Sequence, residues 1–231
     1  MLVLDHLTLS LGAFRLEADL TVPGPGVTAV IGASGSGKST LLSAIAGFLP
    51  PDSGRIHWNG QDLAPLAPGD RPLTMLFQDQ NLFPHLKARQ NVALGLSPSL
   101  RLSPTQWASA DEALARTGLK GLEDRLPAQL SGGQQARVAL ARVLLRARPL
   151  LLLDETFGGL GPALKDEMLD LVASLAAEAG TTVLMVSHDP DDARRIARRT
   201  ILIAEGIAHP PVDTVALLDN PPPSLRRYLG K

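Results

Sequence analysis

The 231-residue chain contains no cysteine, so disulfides and thiolate metal sites are excluded. It carries no excess of either charge: 22 basic and 23 acidic residues leave a net charge of −1. A balance of this kind gives no overall electrostatic reason for nucleic acid or an acidic membrane surface to be the main partner. No apolar run reaches the roughly 18 residues of a membrane span. The nearest is "VLLRARPLLLLD" (143–154), which two arginines and a proline interrupt. The N-terminus, "MLVLDHLTLSL", lacks both the basic segment and the small-residue cleavage site of a secretory signal. Internal repeats and low-complexity tracts are absent too. The expectation is a soluble chain that reaches a membrane, if it works at one, through a partner.

What is present is α/β. A hydrophobic content of 45% over this length supports one large domain, or a domain with a subdomain. Residues 2–9 and 15–22 alternate apolar and polar as strands do, with a turn at Gly12-Ala13 between them. Further strands are expected at 27–32, 54–60 and 72–78. Helical patterns then dominate from about 79 to 149, over 88–95, 103–117 and 131–146. The run "LLLLD" (150–154) has the continuous apolar character of a strand inside a parallel sheet. A helix (162–179), a strand (181–187), a helix (190–198) and a strand (199–205) follow. "PPP" at 221–223 precedes a short terminal helix. This order predicts a core built from about 1–78 and 150–231, with a helical subdomain inserted at about 79–149.

"GASGSGKS" (32–39) fits G-x-x-x-x-G-K-[ST] and lies between an expected strand and an expected helix. In that setting Gly32, Ala33, Ser34, Gly35, Ser36 and Gly37 curl backbone N–H groups around phosphate oxygens, and the helix start adds partial positive charge. Lys38 reaches the β- and γ-phosphates. Ser39, followed by Thr40, supplies a hydroxyl to Mg²⁺. Asp154 ends a buried strand, where open α/β sheets bind ligands. It is placed to hold Mg²⁺ through water, and Glu155 to face the attacking water. His188 ends the next strand, within reach of the γ-phosphate or the water. Gln78, at the junction with the helical insert, is a candidate contact to the metal or the water. His6, His57, His85 and His209 have no comparable setting.

A second glycine loop, "LSGGQ" (130–134), also runs into a helix. Ser131 is a good N-cap. A capping serine alone does not require Gly132, Gly133 and Gln134 after it. Glycines that permit close approach, at a helix start with exposed N–H groups, make a second anion site. The chain has one set of catalytic groups, so the second phosphate is expected to belong to another molecule.

These motifs, in this order and spacing, resemble the nucleotide-binding subunit of ABC transporters over essentially the whole chain. The resemblance implies a RecA-like P-loop NTPase core with N-terminal antiparallel strands and an inserted α-helical subdomain. It implies ATP and Mg²⁺ as ligands and a head-to-tail dimer. In that dimer Ser131, Gly133 and Gln134 contact the γ-phosphate held by the partner's Lys38 loop. It also implies that Glu155 polarises the water, Gln78 senses nucleotide and His188 steadies the γ-phosphate. "RPLTMLFQDQNLFPHL", "NVALGL" and "TTVLMVSHDPDDARRIA" are similar to the ATPase subunit of bacterial thiamine importers. Importers of iron, polyamines or sulfate share most of these features. The implied partners are an integral membrane permease and, indirectly, a substrate-binding protein. The implied location is the cytoplasmic face of the bacterial inner membrane. The permease is expected to dock around 78–91, with Phe83 and Leu86 as apolar contacts. DNA and ribosome cassettes fit less well, since the chain has neither a long coiled coil nor a second cassette. Three positions depart from the family pattern. Leu11 replaces an adenine-stacking aromatic, with Phe14 nearby. Thr156 replaces the proline after the catalytic glutamate, and Gly161 replaces an aspartate.

Overall fold

A computed structural model describes residues 1–77 and 81–229. Strand β1 (Leu2–Leu11) pairs antiparallel with β2 (Phe14–Val22) and with β4 (Ser53–Trp58), and β5 (Gln61–Asp62) extends that edge. The β1 leucines begin at even positions and end at odd ones, yet Leu2, Leu4, Leu7 and Leu9 are all buried. A bulge between Leu4 and Leu7, with His6 at φ 47°, absorbs the slip and keeps the apolar set on one face.

The other half of the sheet is parallel. Strands β3 (Gly26–Ile31), β6 (Leu73–Leu76), β7 (Leu150–Asp154), β8 (Thr182–Val186) and β9 (Arg199–Ala204) lie in the order β9-β3-β8-β7-β6. The short β10 (Ile207–Ala208) joins the halves, antiparallel to β9 and parallel to β2, and β11 (Val212–Asp213) adds to β9. The parallel strands are apolar without alternation because both faces are covered. Val30, Leu152, Leu184 and Ile201 pack on one side with Leu41, Leu42 and Ile45 of helix α1 (Lys38–Ala46). Ala29, Leu153, Met185 and Leu202 pack on the other side with helices α4 (Gly132–Arg146), α5 (Pro162–Ala179) and α6 (Pro190–Ile196).

Helix α1 ends at Gly47, whose φ of 89° gives the left-handed cap. The guanidinium of Arg71 donates to the last-turn carbonyls of Ala44 and Ile45 at 2.9 and 2.7 Å, satisfying groups that a helix end leaves open. Helices α2 (Ala88–Ala93) and α3 (Pro104–Arg116) share a separate apolar cluster with the Val138 and Ala141 face of α4. The opposite face of α4, through Ala139 and Leu140, belongs to the sheet-side cluster, so α4 joins the two bodies. Helices α7 (Thr214–Asp219) and α8 (Pro223–Leu229) close the chain. The two-residue strands β5, β10 and β11 carry too few residues for periodicity to reveal them, and the sequence reading passes over them and over α7.

Candidate functional site

Strands β3, β8 and β7 bring their carboxyl ends to one edge, with Val30 and Asp154 each in register with Val186. Residues Gly32–Thr40, Asp154–Glu155 and Ser187–His188 follow directly from those ends, so chain order alone gathers them. Parallel strands place ligands at this edge.

The first loop wraps tightly before α1. Gly37 has φ 102°, and a Cβ there would lie 2.5 Å from the Phe14 ring. Glycine is required on both counts, and Phe14 is seated against the loop instead of standing free. Leu11 is 62% exposed beside it, paired with Phe14 across the hairpin. Ala33, Ser34 and Gly35 are exposed, whereas Gly32 is buried. Ser36 Oγ is buried with no hydrogen-bond partner among the described residues, a polar atom available to a ligand. Lys38 is only 6% exposed. Its ammonium donates to the carbonyls of Gly32 and Ala33 at 2.9 and 3.0 Å. Burial pushes its pKa below the ordinary lysine value, against the opposing pull of Glu155 and Asp154.

Ser39, on the first turn of α1 with Thr40, donates from Oγ to Asp154 Oδ1 at 2.9 Å. Burial raises the Asp154 pKa; the Ser39 bond works against this and the Glu155 charge adds to it. A hydroxyl and a half-buried carboxylate in contact form a hard oxygen pair. That chemistry suits Mg²⁺, which would also relieve the desolvated charge.

Glu155 has φ 47°, the left-handed region, while its N–H donates to the Val186 carbonyl at 3.2 Å. A non-glycine residue held there costs roughly 1–2 kcal/mol, a strain typical of sites where side-chain aim matters. Its carboxylate lies 3.6 Å from His188 Nδ1, with His188 60% exposed and Glu155 31% exposed. Thr156, in the proline's place, donates from its hydroxyl to the Leu76 carbonyl at 3.1 Å, tying the end of β7 to β6. Proline could not make that bond. Gln78 lies outside the described residues.

The loop around His188 is braced from α5. Lys165 Nζ contacts Asp189 Oδ2 at 2.5 Å and Asp192 Oδ1 at 2.6 Å. Ser187 Oγ donates to Asp192 Oδ2 at 2.6 Å and accepts from the Asp189 N–H at 3.0 Å. From the far end of the chain, the Tyr228 hydroxyl donates to the His188 carbonyl. Lys165, Asp192 and Tyr228 carry no local motif, and the sequence reading missed them. The charge pattern i, i+24 and i, i+27 means nothing until α5 and α6 are packed.

The second glycine loop belongs to a different element, the N-terminus of α4. Ser131 caps it: Oγ accepts from the Gln134 N–H at 3.3 Å, and the Gln134 side chain accepts from the Ser131 N–H at 2.9 Å. This capping box gives Gln134 a structural duty beyond ligand contact. Gly133 also has a packing reason, because a Cβ there would sit 2.4 Å from Leu164 Cδ2. Gly132 has neither. It is exposed, with nothing within 4 Å of an added Cβ. Of the two glycines, it is the one whose smallness the monomer leaves unexplained.

The family model described as ABC transporter matches residues 17–158. The chain is 62% identical to the thiamine import ATP-binding protein ThiQ of Cereibacter sphaeroides and 59% identical to that of Ruegeria sp. TM1040, each over 230 residues and the full length of both chains. Among solved structures it is similar to the ATP-binding cassette MJ0796, in a dimeric post-hydrolysis state bound to ADP and Pi. The TM-score is 0.79 at 30% identity, over 93% of this chain and 99% of that one. The site geometry and these matches agree, and the chain belongs to the ABC transporter family.

Proposed function

We propose that this protein is the ATP-binding and ATP-hydrolysing subunit of an importer, working as a head-to-tail pair of copies, with thiamine as the cargo. One observation carries the chemistry: the Ser39–Asp154 contact at 2.9 Å, beside the buried Lys38 loop. It supports the reading because a hydroxyl of the first glycine loop and a carboxylate from a distant strand end meet there. Residues Gly32–Thr40 hold the ATP phosphates, with Lys38 on the β- and γ-phosphates. Ser39 and Asp154 would hold Mg²⁺, with Gln78 a further contact, and the bound ion would supply positive charge against the phosphate oxygens. Glu155 accepts a proton from water as the water oxygen bonds to the γ-phosphorus and the bond to the β-phosphate oxygen breaks. His188 steadies the departing phosphoryl group. Ser131, Gly132, Gly133 and Gln134 complete the other copy's site, which explains why Gly132 is left open in the monomer. Positioning and charge stabilisation supply the rate.

The thiamine reading rests on the full-length similarity to relatives named for thiamine import. Among the described residues no helix is long and apolar enough to cross a membrane, so transport needs a permease. An apolar groove of about 430 Å³ between the sheet and the helical cluster is its proposed dock. Phe48 and Phe83 line it and are 58% and 47% exposed; Leu86 lies outside the lining. A substrate-binding protein delivers the cargo from the far side, and the protein sits on the cytoplasmic face of the inner membrane. Glu155→Gln removes the proton acceptor and leaves both phosphate loops intact. With ATP and Mg²⁺ it should elute from gel filtration as a dimer; a monomer at every ATP concentration refutes the paired site. Thiamine uptake by cells lacking this protein should fall while uptake of iron, polyamine and sulfate persists; unchanged thiamine uptake refutes the cargo.

A further inference from the structure

The chain has a single tyrosine, Tyr228, and it stands in helix α8, 40 residues from His188. Its hydroxyl donates to the His188 backbone carbonyl. The ring is half-buried and packs against the sheet-side apolar cluster, where Leu225 of the same helix is 0% exposed. Arg226 Nε donates to the Pro221 carbonyl at 2.8 Å, and its N–H donates to Pro222 at 2.9 Å, so the helix start is also fixed. The histidine loop is thus held on two sides. Lys165 and Ser187 grip Asp189 and Asp192 after the histidine, while Tyr228 grips the histidine's own peptide. Among the described residues the His188 side chain has only Glu155 as an ion-pair partner, at 3.6 Å, and is 60% exposed. What aims its imidazole is the backbone beneath it.

We propose that Tyr228 is a positioning residue for His188, through which the C-terminal helix sets the aim of the imidazole at the γ-phosphate. The inference rests on the ATPase reading above. Burial and the nearby charges of Asp189 and Glu155 push the Tyr228 pKa above its ordinary value, so the hydroxyl stays a donor through neutral pH. A neutral hydrogen bond shifts a conformational equilibrium by roughly two- to ten-fold. Tyr228→Phe, which keeps the ring and removes the donor, should lower kcat for ATP by about that factor. The KM for ATP should be unchanged, and the melting temperature should fall by no more than a few degrees, leaving the protein folded under assay conditions. In a His188→Ala background the same substitution should have no further effect on kcat, as coupled residues require. An unchanged kcat, or a loss of kcat that is fully additive with His188→Ala, overturns the proposal.

A second measurement separates this inference from the ATPase reading. With ¹³C-labelled tyrosine the protein gives one phenol-carbon signal. That signal should shift when ATP and Mg²⁺ are added to Glu155→Gln, and stay in place for Lys38→Ala. If direct calorimetry shows ATP binding to Glu155→Gln but the signal does not move, the Tyr228 coupling is wrong and the ATP site stands. If ATP does not bind, the ATPase reading falls, and this inference falls with it.

Discussion

Gly161→Asp restores the residue that the family pattern has at this place, and the structure says what that should do. Gly161 is the N-cap of α5, with φ −62° and ψ 154° and no side-chain bond to the helix start. These are ordinary angles for an L-residue, so an aspartate meets no backbone strain. An added Cβ finds nothing within 4 Å. Aspartate is among the preferred N-caps, better than glycine by a few tenths of a kcal/mol, and its charge at a helix start adds about 0.3–1 kcal/mol. The isolated protein should therefore melt at the same temperature or slightly higher. The functional effect should be larger. If the aspartate reaches the other copy's phosphate loop, a hydrogen bond to a charged group is worth about 1.5–3 kcal/mol, roughly 10- to 100-fold in the closing equilibrium. The ATPase rate against ATP concentration, measured for both proteins without permease, should rise and become more cooperative in the variant. An unchanged or lower rate with the same Hill slope refutes the cross-dimer argument, and a lower melting temperature refutes the conformational one.

Ser131→Ala removes the cap of α4 and should cost about 1 kcal/mol of stability, seen as a lower melting temperature. Its ATPase rate should fall while ATP affinity of the monomer, measured by calorimetry, stays the same; lost monomer binding would contradict a loop that acts on the partner's nucleotide. Lys165→Met should destabilise the protein by about 1.5–3 kcal/mol at pH 7, through loss of the bonds to Asp189 and Asp192. Burial alone would lower the Lys165 pKa and raise that of Asp189, but their hydrogen bonds prevail, so lysine is raised above 10.5 and Asp189 is lowered below 3.8. The Asp189 part of the stabilisation is present above 3.8 and lost as pH falls through its lower folded value. The Lys165 part is present below 10.5 and lost as pH rises through its higher one. Melting curves of the two proteins should differ across neutral pH and converge at both extremes, and a constant difference at acid pH would contradict the assignment.

The sequence by itself determined the α/β order, both glycine loops and the places of Lys38, Ser39, Asp154, Glu155 and His188. Each of these belongs to a short contiguous segment whose geometry is local: a strand end, a loop, a helix start. Pro162 also bears on Gly161, since a residue before proline is pushed toward extended angles. Only the tertiary structure decided the rest. The left-handed turn of Glu155 depends on the sheet that over-determines it. The bond from Thr156 to Leu76 spans 80 residues, and the one from Tyr228 to His188 spans 40. Gly133 is small because Leu164 of another helix occupies the space. These contacts join segments whose separation along the chain carries no period. No local propensity encodes them, and they exist only once the helices have packed on the sheet.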